Sequence, residues 1–309
     1  DKLTNKLVYS PPVAFGNSAP CLNQDQSMKQ RFLRPLAAVG LVVGLSGFTA
    51  LESLFAPRVD LWPKWEAHDP TSTRTVDHAP WGRFLKTYVK PGSDGSNRVA
   101  YGAVTGADEK DLHDYLGALR EINVADLSRN EQLAYWINLY NALTVRLIVH
   151  FYPVESIQDI NLSGSLFGGA GPWDKKLIRI SGEMVSLNDI EHRILRPIWR
   201  DPRLHYAVNS AAVGCPNLAA TPYVGATVNT MLNQAASAFI NTPRGVRHTS
   251  DGLVLSKIYA WFSQDFGGSE TMVLDHIARH ASSDTEMKIM KSTNIAAYEY
   301  DWSLNDTMK

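Results

Sequence analysis

Hydrophobic residues recur every three or four positions in several stretches of the chain, and this spacing predicts a largely helical protein. The clearest amphipathic stretch runs from Asp108 to Asn123, where Leu112, Leu116 and Leu119 share one face and acidic residues occupy the first turn. We therefore expect a surface helix here that packs its leucine face against a core.

A longer stretch, Asp126–Tyr152, predicts the buried centre of the domain. Ser128 is a suitable N-cap, and Glu131 follows three residues later in the pattern of a capping box. Residues 134–143 are apolar almost all round, which is typical of a helix enclosed on every side. Pro153 is expected to end this helix.

Shorter apolar runs separated by turn residues predict small strands and further helices. They comprise a hairpin of Lys176–Ile180 with Met184–Ser186, a helix capped by Asn188 that runs through Arg196 and closes at Pro197, a strand at Leu204–Asn209, a helix at Tyr223–Asn241, a hairpin of Val246–His248 with Leu253–Ser256, and helices at Ser269–Ala281 and Asp284–Lys291. The Gly-rich stretch Ser163–Gly171 has no following lysine and does not join a strand to a helix, so we interpret it as a flexible loop over a cleft rather than a phosphate loop. The predicted fold class is α+β, a single domain built on a long buried central helix with small antiparallel hairpins.

The first 80 residues show a different pattern. Residues 1–27 are polar and aperiodic and are interpreted as a non-native or disordered extension, whereas residues 28–50 combine basic residues with the apolar run Leu36–Ala50. A positive segment followed by a short apolar run is typical of an export signal or signal-anchor. We therefore predict export to the periplasm or anchoring in the bacterial cell envelope, with membrane tethering through residues 36–50. Residues 51–80 would be a lead-in linker, and residues 81–309 a single globular domain.

Composition limits the classes of function. The 309 residues are 44% hydrophobic and 20% charged, which excludes a disordered chain, and 30 basic against 31 acidic residues leave no concentrated basic surface for nucleic acid. The two cysteines, Cys21 and Cys215, exclude a disulfide-stapled scaffold. Because Cys21 precedes the export signal, we expect Cys215 to be an unpaired thiol in the mature domain.

The most promising candidate for chemistry is Cys215, which lies in a Gly-Cys-Pro turn after a predicted strand. A cysteine nucleophile needs a nearby histidine or helix N-terminus, and His192 and His205 precede it in the sequence. The alternative is a structural, buried cysteine. A zinc site formed by Glu191, His192, His205 and Cys215 is also open, although no metal-binding spacing is present.

Two amides on the central helix, Asn138 and Asn141, lie three residues apart and share a face. Buried amides must be hydrogen-bonded, so they either tie the helix to a neighbouring loop or belong to a site. Asp301, flanked by aromatic residues near the chain end, is expected to fix a terminal strand.

Four separated strings resemble the family called domain of unknown function 547. They are residues 134–143 (AYWINLYNAL), 190–196 (IEHRILR), 201–216 (DPRLHYAVNSAAVGCP) and 300–305 (YDWSLN). The resemblance implies that a set of residues falls on characteristic family positions, namely Trp136, Asn138, Asn141, Glu191, His192, His205 and Cys215. It also suggests a relation to papain-like or transglutaminase-like thiol enzymes. This chain departs from the family pattern at Ser210, where another cysteine is common, and at Gly214, where a serine is common.

The leading hypothesis is a Cys/His-dependent hydrolase or acyl or peptidyl transferase acting on amide or thioester bonds. Cys215 would be the nucleophile, His192 or His205 the acid and base, and Glu191 or an asparagine the orienting group, with backbone N–H groups at Gly214 and Cys215 forming the oxyanion site. In a papain-like enzyme the nucleophile precedes the histidine, whereas both histidines precede Cys215 here, so such a site would require circular permutation or convergence.

The remaining expectations concern the residues that bind substrate and the alternatives to the leading function. We predict Trp136, Asn138, Asn141 and Asn209 as binding residues for an unknown small-molecule or peptide substrate, with no cofactor. The alternatives are a non-catalytic binding or interaction module and a metal-assisted hydrolase. The decisive structural observation is whether the Cys215 thiol lies within hydrogen-bond reach of a histidine beside an open cleft.

Overall fold

The structure is a computed structural model that describes residues 58–162, 171–292 and 294–308. The predicted extension at residues 1–27, the export segment at residues 28–50 and nearly all of the Gly-rich loop lie outside these residues, as does Cys21. In the part of the chain that is described, no helix has both the length and the apolar character needed to cross a bilayer.

Helices dominate the described residues, and short strands form three small sheets. The α-helices are α1 (Ala79–Tyr88), α2 (Gly106–Arg120), α3 (Arg129–Phe151), α4 (Arg196–Trp199), α5 (Val228–Ile240), α6 (Ile258–Trp261), α7 (Glu270–Ala278) and α8 (Ser283–Lys291). The strands are β1 (Val89–Pro91), β2 (Asn97–Val99), β3 (Ile178–Ile180), β4 (Glu183–Val185), β5 (Val246–Thr249), β6 (Gly252–Ser256) and β7 (Ile295–Glu299). This mixture confirms the predicted α+β class.

Helix α3 is the predicted central helix, and its side chains are buried almost continuously from residue 131 to residue 148. The Ser128 hydroxyl accepts a hydrogen bond from the Glu131 N–H and caps the helix as expected. The Glu131 carboxylate does not complete the capping box, because it accepts hydrogen bonds from the N–H groups of Val76 and Gly225 instead. This carboxylate therefore joins the start of α3 to two distant segments.

The predicted hairpins are both present. Strands β3 and β4 pair antiparallel, and so do β5 and β6. Strand β7, which the hydrophobic pattern did not predict, pairs with β6 in parallel and completes a three-stranded sheet. This sheet belongs to a second group of buried apolar residues, separate from the larger core around α3, and Phe239, Tyr259 and Phe266 are among its members.

The helix predicted at Asn188–Arg196 differs from expectation at both ends. Ser186 and Asp189 exchange side-chain and backbone hydrogen bonds at its start, so Asn188 is not the cap. Residues 189–195 form a π-helix that runs directly into α4, so Pro197 does not close the helix.

Pro197 is tolerated because another segment satisfies the backbone groups that it would leave unpaired. A proline has no N–H, and the acceptors that its N–H would serve are the carbonyls four and five residues earlier. Those carbonyls, of Arg193 and His192, accept hydrogen bonds from the N–H groups of Trp62 and Asp60, at 3.0 and 3.2 Å. The expected lead-in linker thus packs directly on the π-helix in its described part.

The strand predicted at Leu204–Asn209 is wrong. Residues Pro202–Tyr206 form a 3-10 helix, whose first turn is capped by the Asp201 side chain accepting from the Arg203 N–H. Proline at the first helical position and aspartate before it favour a helix start over a strand. Consequently His205 projects from a helical turn.

Candidate functional site

One cavity brings together every residue predicted to be catalytic. Its volume is about 330 Å³. The lining residues are Tyr140, Gln158, Trp173, Asn188, Glu191, His192, His205, Val208, Ser210, Cys215, Pro216, Ile258, Trp261, Phe262, Tyr300 and Trp302. A small molecule or one residue of a larger substrate would fill this volume, which is at the small end of ligand pockets.

The Cys215 thiol lies at the wall of this cavity and is 4% exposed. Its sulfur accepts a hydrogen bond from the Ser210 N–H at 3.1 Å and lies 3.1 Å from the Ser210 hydroxyl. That hydroxyl also shares a hydrogen bond with the Tyr300 hydroxyl at 3.1 Å. Burial, together with the charge and hydrogen bonding of Cys215, raises the pKa of Tyr300 well above its usual value, so Tyr300 keeps its proton and can donate.

Backbone contacts hold the Gly-Cys-Pro turn in place. The Gly214 N–H donates to the Asp301 carbonyl at 2.8 Å, and the Cys215 N–H donates to the Ala212 carbonyl at 3.1 Å. The Arg244 guanidinium donates to the carbonyls of Val213 and Cys215 at 3.0 and 2.5 Å. The N–H groups of Gly214 and Cys215 are therefore already engaged, and the expectation that they form an oxyanion site is wrong.

Backbone strain accompanies this turn at Ala211, which has a φ of +59°. A residue with a Cβ rarely adopts this left-handed conformation, and such strain clusters at functional sites. The Asn209 side chain accepts from the Ala211 N–H at 2.8 Å and the Asn305 N–H donates to the Ala211 carbonyl at 3.0 Å, so both backbone groups of the strained residue are satisfied.

His205 is held by a carboxylate that the sequence analysis did not identify. Its Nε2 donates to Asp265 Oδ2 at 2.7 Å, and its ring stacks on Phe262 with centroids 4.0 Å apart. Arg196 also donates to both carboxylate oxygens of Asp265, at 2.6 and 3.1 Å. Burial alone would raise the pKa of Asp265, but the hydrogen bonds from His205 and Arg196 outweigh it and hold the pKa well below its usual value. Because Nε2 carries the hydrogen bonded to an ionised carboxylate, Nδ1 of neutral His205 is a proton acceptor.

His192 projects from the π-helix and has the opposite tautomer. Arg196 Nη1 lies 3.2 Å from His192 Nδ1, and since a guanidinium only donates, Nδ1 must accept. The ring hydrogen is then on Nε2, which has no hydrogen-bond partner among the described residues. Burial lowers the pKa of His192, Arg196 adds to this effect, and Glu191 opposes it. His192 is therefore a neutral N–H donor in the wall of the cavity.

Glu191 precedes His192 and is the carboxylate of the cavity lining. Its Oε2 accepts from the Tyr140 hydroxyl at 3.2 Å. Its Oε1 lies 3.8 Å from His205 Nδ1, beyond hydrogen-bond distance. The group in hydrogen-bond contact with His205 is thus Asp265 rather than Glu191.

The decisive contact named from the sequence is absent from the described residues: no hydrogen bond joins Cys215 Sγ to His192 or His205. The thiol and both imidazoles line the same cavity instead. Catalytic groups are often farther apart without substrate than in the complex with substrate.

None of the four residues predicted to bind substrate lines the cavity. Trp136 packs edge-on against Trp65 in the core, with centroids 5.0 Å apart, and Asn138 exchanges two hydrogen bonds with the backbone of Tyr223. These two residues build the core around α3 instead.

The other two predicted binding residues connect α3 to the Cys215 turn. Asn141 donates to the Ala207 carbonyl and accepts from the Asn209 N–H, at 2.9 Å in each case. Asn209 Nδ2 in turn donates to the Pro216 carbonyl at 2.6 Å. These amides fix the position of the turn without contacting the cavity.

Within the described ranges, no three His, Cys, Asp or Glu side chains converge closely enough to hold a metal ion. The zinc site considered from the sequence therefore has no assembled ligand set there.

Several residues of the candidate site carried no recognisable sequence signal: Trp261 and Phe262 line the cavity, whereas Asp265 contacts His205 without belonging to the lining. Asp265, Phe262 and Trp261 follow strand β6 and lie far along the chain from Cys215. Asp265 lies in an irregular turn between α6 and α7, 60 residues from His205. Tyr300 and Trp302 belong to the 300–305 string, but nothing in the sequence indicated that they lie in a site. Asp301, between them, does not line the cavity, and its carboxylate accepts a hydrogen bond from the Ser303 N–H.

Comparison with known sequences identifies one family. Residues 124–240 match the sequence model of the family described as "Protein of unknown function, DUF547". No curated protein and no solved structure matches the chain.

Proposed function

Because residues 124–240 belong to the family of unknown function 547, whose description assigns no activity, we propose a function from the cavity itself: a cysteine-dependent hydrolase or acyl transferase that cleaves amide or thioester bonds. The observation that carries the proposal is the shared cavity of Cys215 and His205, in which His205 is oriented by Asp265 at 2.7 Å. A nucleophile, an acid–base group and an orienting carboxylate are the components of covalent acyl transfer.

The roles of the two histidines follow from their tautomers. His205 has an accepting Nδ1, so it can take a proton and later return it, whereas His192 presents an N–H and can only donate. We assign His205 as the acid–base group and His192 as the donor to the carbonyl oxygen. The His192 N–H would replace the backbone N–H groups of Gly214 and Cys215, which are occupied.

The reaction would proceed in two steps. In the first, the thiol proton of Cys215 passes to His205 Nδ1, with substrate or one water bridging the cavity, while sulfur bonds to the carbonyl carbon and the carbonyl electron pair moves to oxygen beside His192. When the carbonyl re-forms, the C–N or C–S bond breaks, and the departing amine or thiol takes the proton from His205.

In the second step, the thioester on Cys215 is cleaved. His205 Nδ1 accepts a proton from an attacking water or amine, the bond from carbon to sulfur breaks, and sulfur regains the proton from His205. The acid or the new amide leaves, and the thiol is restored.

An acyl-trapping experiment tests the proposal. The full chain is incubated with a neutral thioester or p-nitrophenyl ester, quenched in acid and analysed by intact mass, with peptide mapping to locate the acyl group. We expect an adduct on Cys215 in the wild type and none in Cys215→Ser. In His205→Gln the adduct should form more slowly and persist for longer, because the group that accepts the thiol proton and activates water is lost.

The binding-module alternative predicts a different result. If Cys215 takes no acyl group from any neutral ester, thioester or amide while the protein remains folded by circular dichroism, the acyl-transfer function is overturned.

A papain-like or transglutaminase-like core stays a prediction from the resemblance, and so do export and location in the cell envelope. The acyl-transfer proposal depends on none of these, since it is derived from the cavity alone.

A further inference from the structure

The lining of the cavity includes a cluster of aromatic rings. Tyr300 and Trp302 have centroids 4.6 Å apart, Trp261 lies 4.9 Å from Tyr300 and 5.7 Å from Trp302, and Trp173 meets Trp302 edge-on at 5.8 Å. All four rings line the cavity and are half-buried. The four rings form one connected cluster that lines the same cavity as the thiol.

Among the described residues, the cavity lining includes a carboxylate but no lysine or arginine to balance its charge. Glu191 contributes a carboxylate whose Oε1 receives no hydrogen bond from the described residues, and its side chain is 11% exposed. The nearby guanidinium of Arg196 is outside the lining; it donates to Asp265 at 2.6 and 3.1 Å, contacts His192 Nδ1 at 3.2 Å and lies 4.9 Å from the centroid of Phe262.

Aromatic faces together with one carboxylate favour cations. The negative face of an aromatic ring attracts ammonium groups, most strongly for tryptophan, and a partly buried carboxylate adds a charge partner in a medium of low dielectric constant. An anionic substrate would be repelled by two negative charges, the carboxylate of Glu191 and the thiolate of Cys215. The cavity therefore discriminates between substrates by the sign of their charge.

We propose that the substrate of Cys215 carries a positively charged ammonium group close to the carbonyl that is attacked, as in an amide or thioester of an amino acid with a free amine. The ammonium would lie between Glu191 and the rings of Trp261, Tyr300 and Trp302. This inference rests on the proposed function for its scissile bond, but the charge preference of the cavity can be measured separately.

Three alkylating reagents of similar size and different charge measure this preference: 2-bromoethylammonium, iodoacetamide and iodoacetate. Each rate of Cys215 alkylation is divided by the rate of the same reagent with the urea-unfolded protein, which removes intrinsic reactivity. We expect the normalised rate of the cation to exceed that of the anion by about tenfold or more. Glu191→Gln should reduce this ratio by about tenfold, whereas Glu270→Gln, which removes an exposed carboxylate of α7, should leave it unchanged.

A binding measurement provides the same comparison without the thiol. Tryptophan fluorescence of Cys215→Ala is titrated with n-butylammonium and with butyrate. Saturable quenching by the ammonium alone, weakened in Trp302→Leu, supports the inference even if Glu191→Gln does not fold. Equal responses to both ions would overturn it.

The outcomes separate the two proposals. Acylation of Cys215 with no charge preference would overturn the ammonium substrate and leave acyl transfer standing. A strong preference for the cation without acylation would overturn acyl transfer and leave the cavity as a binding site for amines.

Discussion

Asp265 Oδ2 and His205 Nε2 lie 2.7 Å apart although 60 residues separate them in the chain. Arg196 completes the contact by donating to both oxygens of the same carboxylate. The acid–base group of the proposed reaction is thus oriented by a residue beyond the 201–216 string that contains both His205 and Cys215.

Asp265→Asn should lower turnover of a neutral ester by about 10² to 10⁴-fold, since an amide no longer fixes the tautomer of His205. The measurement is kcat under saturating ester, with folding checked by thermal denaturation. Asp275→Asn, which alters an exposed carboxylate on α7, is the matched control and should retain full turnover. Wild-type turnover in Asp265→Asn would remove Asp265 from the mechanism.

Two buried histidines make stability depend on pH. Burial lowers the pKa of His78 and of His276 to about 4. Since the unfolded value is about 6.5, the unfolded chain binds more protons between these limits. The free energy of unfolding should therefore fall as the pH drops from 6.5 to 4, by about 2 to 3 kcal/mol for each histidine.

Urea unfolding at pH 7.5, 6.5, 5 and 4 checks this dependence. His276 stacks on Tyr206 with an interplanar angle of 8°, so His276→Phe preserves a ring there and should reduce the decline. His113→Gln, at an exposed position of α2, should not. A decline of the same size in all three proteins would contradict the assignment to buried imidazoles.

Gly214 is required for close packing of the turn that carries the thiol. A Cβ at this position would lie 2.6 Å from the Asp301 backbone nitrogen and 3.0 Å from its carbonyl oxygen. Gly214→Ala should destabilise the protein by about 1 to 3 kcal/mol and change the alkylation rate of Cys215.

Gly117→Ala is the contrasting substitution, because a Cβ there meets nothing within 4 Å in the middle of α2. It should stabilise the protein by up to about 1 kcal/mol through helix propensity and leave the thiol unaffected. Thermal denaturation and alkylation kinetics compare the two variants. Similar behaviour of both would show that the turn tolerates a side chain.

Asn209 connects the central helix to the turn through three hydrogen bonds, to Asn141, Pro216 and Ala211. Asn209→Ala leaves the Pro216 carbonyl and the Ala211 N–H without this partner, at a cost of about 1 to 3 kcal/mol for each buried group left unpaired. We also expect faster hydrogen exchange at residues 210–216. Unchanged exchange there would mean that other contacts are sufficient to fix the turn.

The hydrophobic pattern was sufficient to predict the elements whose sequence signals are local. The signals for the central helix, its Ser128 cap and both hairpins lie among neighbouring residues in the sequence, and all of these elements were predicted. The expectation that Pro197 closes the helix was wrong because the carbonyls that lack a donor from Pro197 accept hydrogen bonds from residues more than 130 positions away. The sequence carries no local signal for that pairing.

The candidate site could likewise be predicted only in part. Cys215, His192, His205 and Glu191 could be named because they fall in recognisable strings, and they line one cavity. The tautomers of the two histidines depend on Arg196 and Asp265, and only the folded chain shows which nitrogen each one contacts.

The cavity extends beyond the stretch of chain that matches the family model. Residues 124–240 contain the thiol and both imidazoles, but Asp265 and the rings of Trp261, Phe262, Tyr300 and Trp302 all come later in the sequence. A protein trimmed to the matched stretch would retain its thiol but lose the carboxylate that contacts His205 and most of the aromatic wall. Relatives that share the stretch and differ after it would therefore keep the thiol and both imidazoles, but would have a different aromatic wall and would need another group to orient the histidine.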